Sequence, residues 1–200
     1  MKPIVLFLLM INTSLAHAQY EVTHESAGLG DSQKVTLERT TTLHLEGEML
    51  KSGDLIPAMA LKTPSLDSVN TQGSGKVRVF NVLVSVDTPV CVEQAKAFEK
   101  LANQHKNEDI EFVTVSADTP FALNRFVTQH DLGQNGIFLS DSIDHQFGLK
   151  TGVQIKELGL LSRAILVIDE NDKIIHIQRV PELTTLPDLD KAVEVAKRQL

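Results

Sequence analysis

A second cysteine is missing from this chain: among its 200 residues, Cys91 stands alone. An intramolecular disulfide is therefore excluded, both as a structural staple and as a catalytic dithiol pair. Positive charge is also scarce. With 19 basic against 26 acidic residues and a formal net charge of −7, the chain has no basic face for nucleic acid or for anionic lipid. The histidines beyond residue 18, at 24, 44, 105, 130, 145 and 176, are scattered without ligand spacing, which argues against a metal site. Internal repeats and low-complexity tracts are absent. The one long apolar run lies at the extreme N terminus and is too short to span a bilayer.

What is present suits one globular domain, since an apolar fraction of 42% in a chain of this length buries a core without staples. Residues 1–18 read as a signal peptide, with Lys2 as a minimal basic region, Ile4–Ile11 as the apolar stretch and Ala16-His17-Ala18 as an A-x-A cleavage site. A membrane-tethered N terminus is the plainer alternative. Cleavage after Ala18 would leave a net charge of about −8 and a periplasmic or secreted protein. Residues 19–33 are polar and aperiodic and read as a flexible leader, so the folded domain is expected over 34–200. In an oxidising compartment a lone thiol is buried and inert, joined to another molecule, or kept for its reactivity.

Along the domain, Lys34–Leu50 alternates and turns at Gly47, as a β-hairpin does. The β-branched run from Val77 to Val86 reads as a buried strand, and Glu111–Ser116 as a second. Between them lies a helical period through Ala95, Phe98, Leu101 and Ala102. Asp118-Thr119-Pro120 opens another helix to about His130, with Phe121, Ala122, Phe126 and Val127 expected on its buried face. Ile137–Leu139 is a short strand and His145–Leu149 one helical turn. Ala164–Ile168 and Lys173–Gln178 form a hairpin about a turn at Asp169–Asp172, and an amphipathic helix closes the chain from Leu189. The order β–α–β–α–β–β–α is that of an α/β fold: a central mixed sheet flanked by helices, its first two long strands parallel and its last pair antiparallel.

The chemistry gathers at Thr88-Pro89-Val90-Cys91. Thr88 as N-cap and Pro89 as first helical residue place Cys91 third in its helix. A capping threonine bonds the N–H of the second or third residue, which would set its hydroxyl beside the thiol. The positive end of the helix favours the thiolate, the nucleophilic form of cysteine. The plainer readings are a buried inert Cys91, a Thr88 that only caps, an Arg163 in an ordinary surface ion pair and a solvated Gln94.

Three segments together resemble the thiol peroxidase branch of the peroxiredoxins, within the thioredoxin-like superfamily. Thr88-Pro89-Val90-Cys91-Val92-Glu93-Gln94 is similar to its T-P-x-C-x-x-Q motif. Ser116-Ala117-Asp118-Thr119-Pro120-Phe121-Ala122, continuing to Arg125-Phe126, is similar to S-A-D-x-P-F-A…R-F. Ser162-Arg163-Ala164 with Val167-Ile168-Asp169-Glu170-Asn171 is similar to R-A-x-x-V-I-D-E-N. The resemblance implies a thioredoxin-like fold with an N-terminal hairpin, no cofactor, and Cys91, Thr88 and Arg163 as catalytic residues. It also implies a peroxide substrate (hydrogen peroxide or an organic hydroperoxide), an external thiol reductant (a thioredoxin-like protein or a small thiol) and a homodimer. Two positions depart from the pattern. Val127 stands where the family usually has a resolving cysteine, and Val84 where its loop has a proline that shields the sulfur. A degenerate redoxin acting as a sensor or interaction module, or a thiol–disulfide oxidoreductase, are the competing readings.

Overall fold

The computed structural model describes residues 20–28 and 33–200, so the expected signal peptide lies outside the described residues. Two short strands, β1 (Lys34–Leu37) and β2 (Thr41–Glu46), pair antiparallel in a hairpin, but it turns between Leu37 and Thr41 and not at the expected Gly47, which follows β2. Its turn holds Glu38 and Arg39 at φ 54° and 57°, a region that L side chains adopt only when something compensates. Here the Glu182 carboxylate accepts both turn N–H groups, at 3.0 and 2.9 Å.

The remaining elements, in chain order, are β3 (Ala60–Lys62), β4 (Ser68–Asn70), β5 (Val77–Val82), α1 (Pro89–Gln104), β6 (Ile110–Ser116), α2 (Pro120–His130), β7 (Ile137–Ser140), α3 (Gln146–Thr151), β8 (Gln154–Ile155), β9 (Leu160–Leu161), β10 (Ala164–Ile168), β11 (Ile174–Arg179) and α4 (Leu189–Lys197). Seven of the strands form one mixed sheet in the order β11-β10-β5-β6-β7-β3-β4. β5, β6 and β7 run parallel, while β10 is antiparallel to both β5 and β11. Every residue of β5 is buried. That is the signature of a strand covered on both faces, and it explains why apolar residues stand at both odd and even positions, Val77 and Val79 as well as Phe80 and Val82.

Alternate residues divide the core. On one face Val77, Val79, Phe112, Ile165 and Val167 pack with Phe98 of α1 and with Leu189 and Val193 of α4. On the other, Phe80, Val82, Val113 and Leu166 pack with Phe147 of α3 and with Ile56, Met59 and Leu61. A third cluster joins the β1–β2 hairpin to α2 and to the start of α1, through Leu43, Leu45, Leu123, Phe126 and Cys91. Cys91 thus sits where the hairpin, two helices and the sheet converge.

Three further expectations are corrected. The leader is not free over 20–28: Thr23 N–H donates to Leu186 O at 2.9 Å, Leu186 N–H to Glu21 O at 2.8 Å and Ala27 N–H to Arg179 O at 2.7 Å. These are backbone bonds, invisible in a polar composition. The central strand stops at Val82, because the Asp118 carboxylate takes Val86 N–H at 2.9 Å and the Ser85 hydroxyl at 3.1 Å. With Asp118 so engaged, Thr119 caps α2, accepting from Ala122 N–H at 3.3 Å. Phe121 is 71% exposed, and Leu123 takes the core position in its place. The two-residue strands β8 and β9, which extend the hairpin to a four-stranded sheet, are too short to show a period.

Candidate active site

The start of α1 is built as the sequence predicts in position, though not in bonding. Thr88 is the N-cap, with extended φ −112° and ψ 139°, and Pro89 opens the helix. The first helical bond runs from Val92 N–H to Thr88 O at 3.1 Å. The Thr88 side chain makes no capping bond. Its hydroxyl instead donates to Ser85 O at 3.1 Å, and Thr88 N–H reaches the same carbonyl at 3.2 Å. The loop before the helix is tight enough to offer Thr88 a nearer acceptor than the helix offers a donor.

Cys91 is fully buried, among Leu83, Val84, Val86, Ala95, Leu123 and Phe126. Val84 and Val127, the two departures from the family pattern, both pack into this cluster. The sulfur therefore faces apolar side chains on much of its surround. The expected cation lies inside the fold as well. Arg163 is 1% exposed, which removes the surface-ion-pair reading. Its Nε and Nη2 donate to Leu183 O at 3.2 and 2.8 Å, and its Nη1 donates to Gln94 Oε1. These acceptors are neutral, and among the described residues Arg163 forms no salt bridge. Buried Arg78 differs, because it pairs with Asp172.

Gln94, read from sequence as equally well explained by solvation, is fully buried and directly bonded to Arg163. It lies three residues beyond Cys91, hence on the same helix face. Its amide nitrogen donates to Asn81 Oδ1 and to Val82 O, the latter at 3.3 Å. The signal that could have found it was already visible: a polar residue at i+3 from a buried cysteine, between apolar Val90 and Phe98. Arg179, also buried without a carboxylate, bonds Leu50 O and Thr151 O at 2.7 and 2.8 Å; its burial pushes its pKa down to about 10. It closes the end of α3 and takes no part at Cys91.

Outside the buried layer lies an open cleft of about 520 Å³, lined by Thr88, Pro89, Val92, Arg125, Phe126 and Tyr20. Arg125 spans it to Asp87 at 3.0 Å. Thr88, Pro89 and Val92 flank Cys91 in sequence, so the first turn of α1 is the partition between cleft and sulfur.

A convergent helix start, a buried thiol and a buried guanidinium on a thioredoxin-like mixed sheet define a redoxin class of site, and comparison with known proteins agrees. The family described as Redoxin matches residues 51–193. A thiol peroxidase of Halalkalibacterium halodurans is 41% identical over 78% of this chain and 93% of its own length. Thiol peroxidases of Bacillus subtilis and Clostridium acetobutylicum are 40% and 37% identical, each over 76% of this chain and over 90% and 92% of their own. A peroxiredoxin-like protein from Aquifex aeolicus superposes with a TM-score of 0.77 at 32% identity, covering 84% of this chain and 97% of its own. A thiol peroxidase from Chromobacterium violaceum, at 20% identity, shares the fold with a TM-score of 0.73 over 82% and 95% of the two chains. The chain belongs to the redoxin family, as a peroxiredoxin-type thiol peroxidase.

Proposed function

We propose that the protein is an exported, one-cysteine thiol peroxidase acting on hydrogen peroxide and organic hydroperoxides. The observation that carries this reading is a buried arginine with only neutral acceptors, joined through Gln94 to the helix turn that holds the one thiol. Burying a cation without a counter-charge is costly, and an anion arriving beside it recovers that cost. The Cys91 thiolate is the anion this chain supplies.

In the proposed cycle the thiolate attacks one peroxide oxygen and the O–O bond breaks. The departing oxygen leaves as alkoxide or hydroxide and takes up a proton, while the sulfur is oxidised to the sulfenic acid. The Arg163 guanidinium is the cation assigned to stabilise both the thiolate and the developing charge on the leaving oxygen. Thr88 orients the peroxide: its hydroxyl proton is engaged by Ser85 O, which leaves its lone pairs to accept. No second cysteine exists to resolve the sulfenic acid. An external thiol therefore condenses with it, releasing water and leaving a mixed disulfide, which a second thiol reduces. That thiol has to meet the sulfur from the cleft, so the first turn of α1 opens in this half of the cycle.

Localisation outside the cytoplasm follows in this reading from residues 1–18. Homodimerisation is part of it too; Phe121 and Ile143, 71% and 64% exposed, are apolar surface available to a second copy. Stopped-flow consumption of hydrogen peroxide and cumene hydroperoxide by reduced protein, with Cys91→Ser as control, tests the proposal. One equivalent consumed rapidly per thiol supports it, and no burst with either peroxide ends it.

A further inference from the structure

Resting on that reading, the geometry points to Asn81 as a positioning residue that acts on Cys91 chemistry through Gln94 and Arg163.

Asn81 is the unexpected residue of the central strand. It is a fully buried amide on β5, between Phe80 and Val82, on the sheet face covered by α1. A polar side chain at such a depth is retained only where its hydrogen-bonding groups are met. Asn81 Oδ1 accepts from Gln94 Nε2, and Asn81 Nδ2 donates to Thr114 Oγ1 at 3.4 Å. Thr114 is itself 2% exposed, on β6.

The four residues form a chain in which every bond points the same way. Arg163 has donors only, so Gln94 must turn its oxygen toward the guanidinium. The Gln94 NH2 group is then obliged to find acceptors, and Asn81 Oδ1 and Val82 O supply them. Asn81 is left with its own NH2, which Thr114 Oγ1 accepts. Arg163→Gln94→Asn81→Thr114 is therefore a one-way relay anchored on two strands of the sheet. Dipoles aligned in this way polarise one another in a low-dielectric interior. No member carries negative charge. The relay fixes the guanidinium in place without neutralising it.

Asn81 makes no hydrogen bond to Cys91 and does not line the cleft. Its effect must pass through Gln94, which makes the test a double-mutant cycle. Asn81→Leu is made alone and in a Gln94→Leu background, with Thr114→Val as a milder second probe that suits a strand. Two readouts are taken at matched pH: the rate constant with hydrogen peroxide, and the pH profile of Cys91 alkylation by monobromobimane. The latter needs no peroxidase activity.

Loss of one hydrogen bond in a chain ending on a charged group predicts about a tenfold fall in the peroxide rate constant for Asn81→Leu, and about two- to threefold for Thr114→Val. The alkylation profile of both variants moves to higher pH. In the Gln94→Leu background each change is expected to cost less than about twofold. Equal losses in both backgrounds, or profiles that do not move, overturn the relay. A wild-type protein that is alkylated normally but consumes no peroxide counts against the peroxidase reading instead, and the alkylation cycle still decides the role of Asn81.

Discussion

Replacing Gln94 with glutamate changes one amide to a carboxylate at nearly constant volume, and it tests whether the charge on Arg163 is reserved for the thiolate. Gln94 Oε1 already accepts from Arg163 Nη1, so the variant places an ionised carboxylate directly against the guanidinium. Cys91 and residue 94 are one helical turn apart, which sets their side chains about 5–6 Å from each other. A unit negative charge at about 6 Å and an effective dielectric of about 20 disfavours the thiolate by about 2.8 kcal/mol. Partial relaxation could halve this, so the expected penalty is about 1.4–2.8 kcal/mol, or one to two pH units. At pH values on the acid limb the peroxide rate constant should fall about 10- to 100-fold. The assay is stopped-flow peroxide consumption from pH 5 to 10. The acid limb of the profile should move up by one to two units in Gln94→Glu, with the rate at high pH largely recovered. An acid limb that stays in place, whatever happens to the maximum, would refute the reasoning.

Thr88→Val removes the hydroxyl that bonds Ser85 O; stability should change by about 1 kcal/mol or less while the peroxide rate constant falls about tenfold or more, and Thr88→Ser should restore the rate. Arg163→Lys gives up the two-pronged contact with Leu183 O and should cost about a hundredfold in rate, read by the same assay, with a melting temperature within a few degrees of wild type by calorimetry. Glu182 supplies a pH test. Burial pushes its pKa up, but hydrogen bonds from Thr184, Thr36 and the Thr184 and Arg39 N–H groups outweigh this and leave it lowered. A lowered carboxylate contributes stability that is fully present above its unfolded value of about 4.3 and is lost as pH falls through the folded value. Urea unfolding between pH 3 and 6 should therefore show wild type losing more stability on acidification than Glu182→Gln; parallel losses would refute the assignment.

The parts legible in the sequence are those with a period or a cap. The strand at Ala164–Ile168, the helix opened by Thr88-Pro89 and the return hairpin fall where hydrophobic spacing and proline place them. Cys91 could be located to the third helical position from local chemistry alone. What was not legible is side-chain partnership across elements. The Thr88 hydroxyl turns back to Ser85, and Asp118 reaches across to the Cys91 loop. Both are decided by which acceptor or donor the fold brings nearest. Gln94 reads from sequence as a solvated residue and Asn81 carries no signal there, because a buried amide network has no periodicity; only the contacts of Arg163 give it a purpose. The docking of 20–28 by backbone bonds, and the two-residue strands β8 and β9, escape notice because composition carries no trace of them.

The most direct measurement is mass spectrometry of the reduced protein after one equivalent of peroxide in the presence of dimedone, with and without Arg163→Met. The account predicts stoichiometric dimedone adduct on Cys91 in the wild type within the stopped-flow burst, and an adduct that forms at least about a hundredfold more slowly once the guanidinium is gone. An unmodified Cys91, or equal labelling rates in the two proteins, would contradict it.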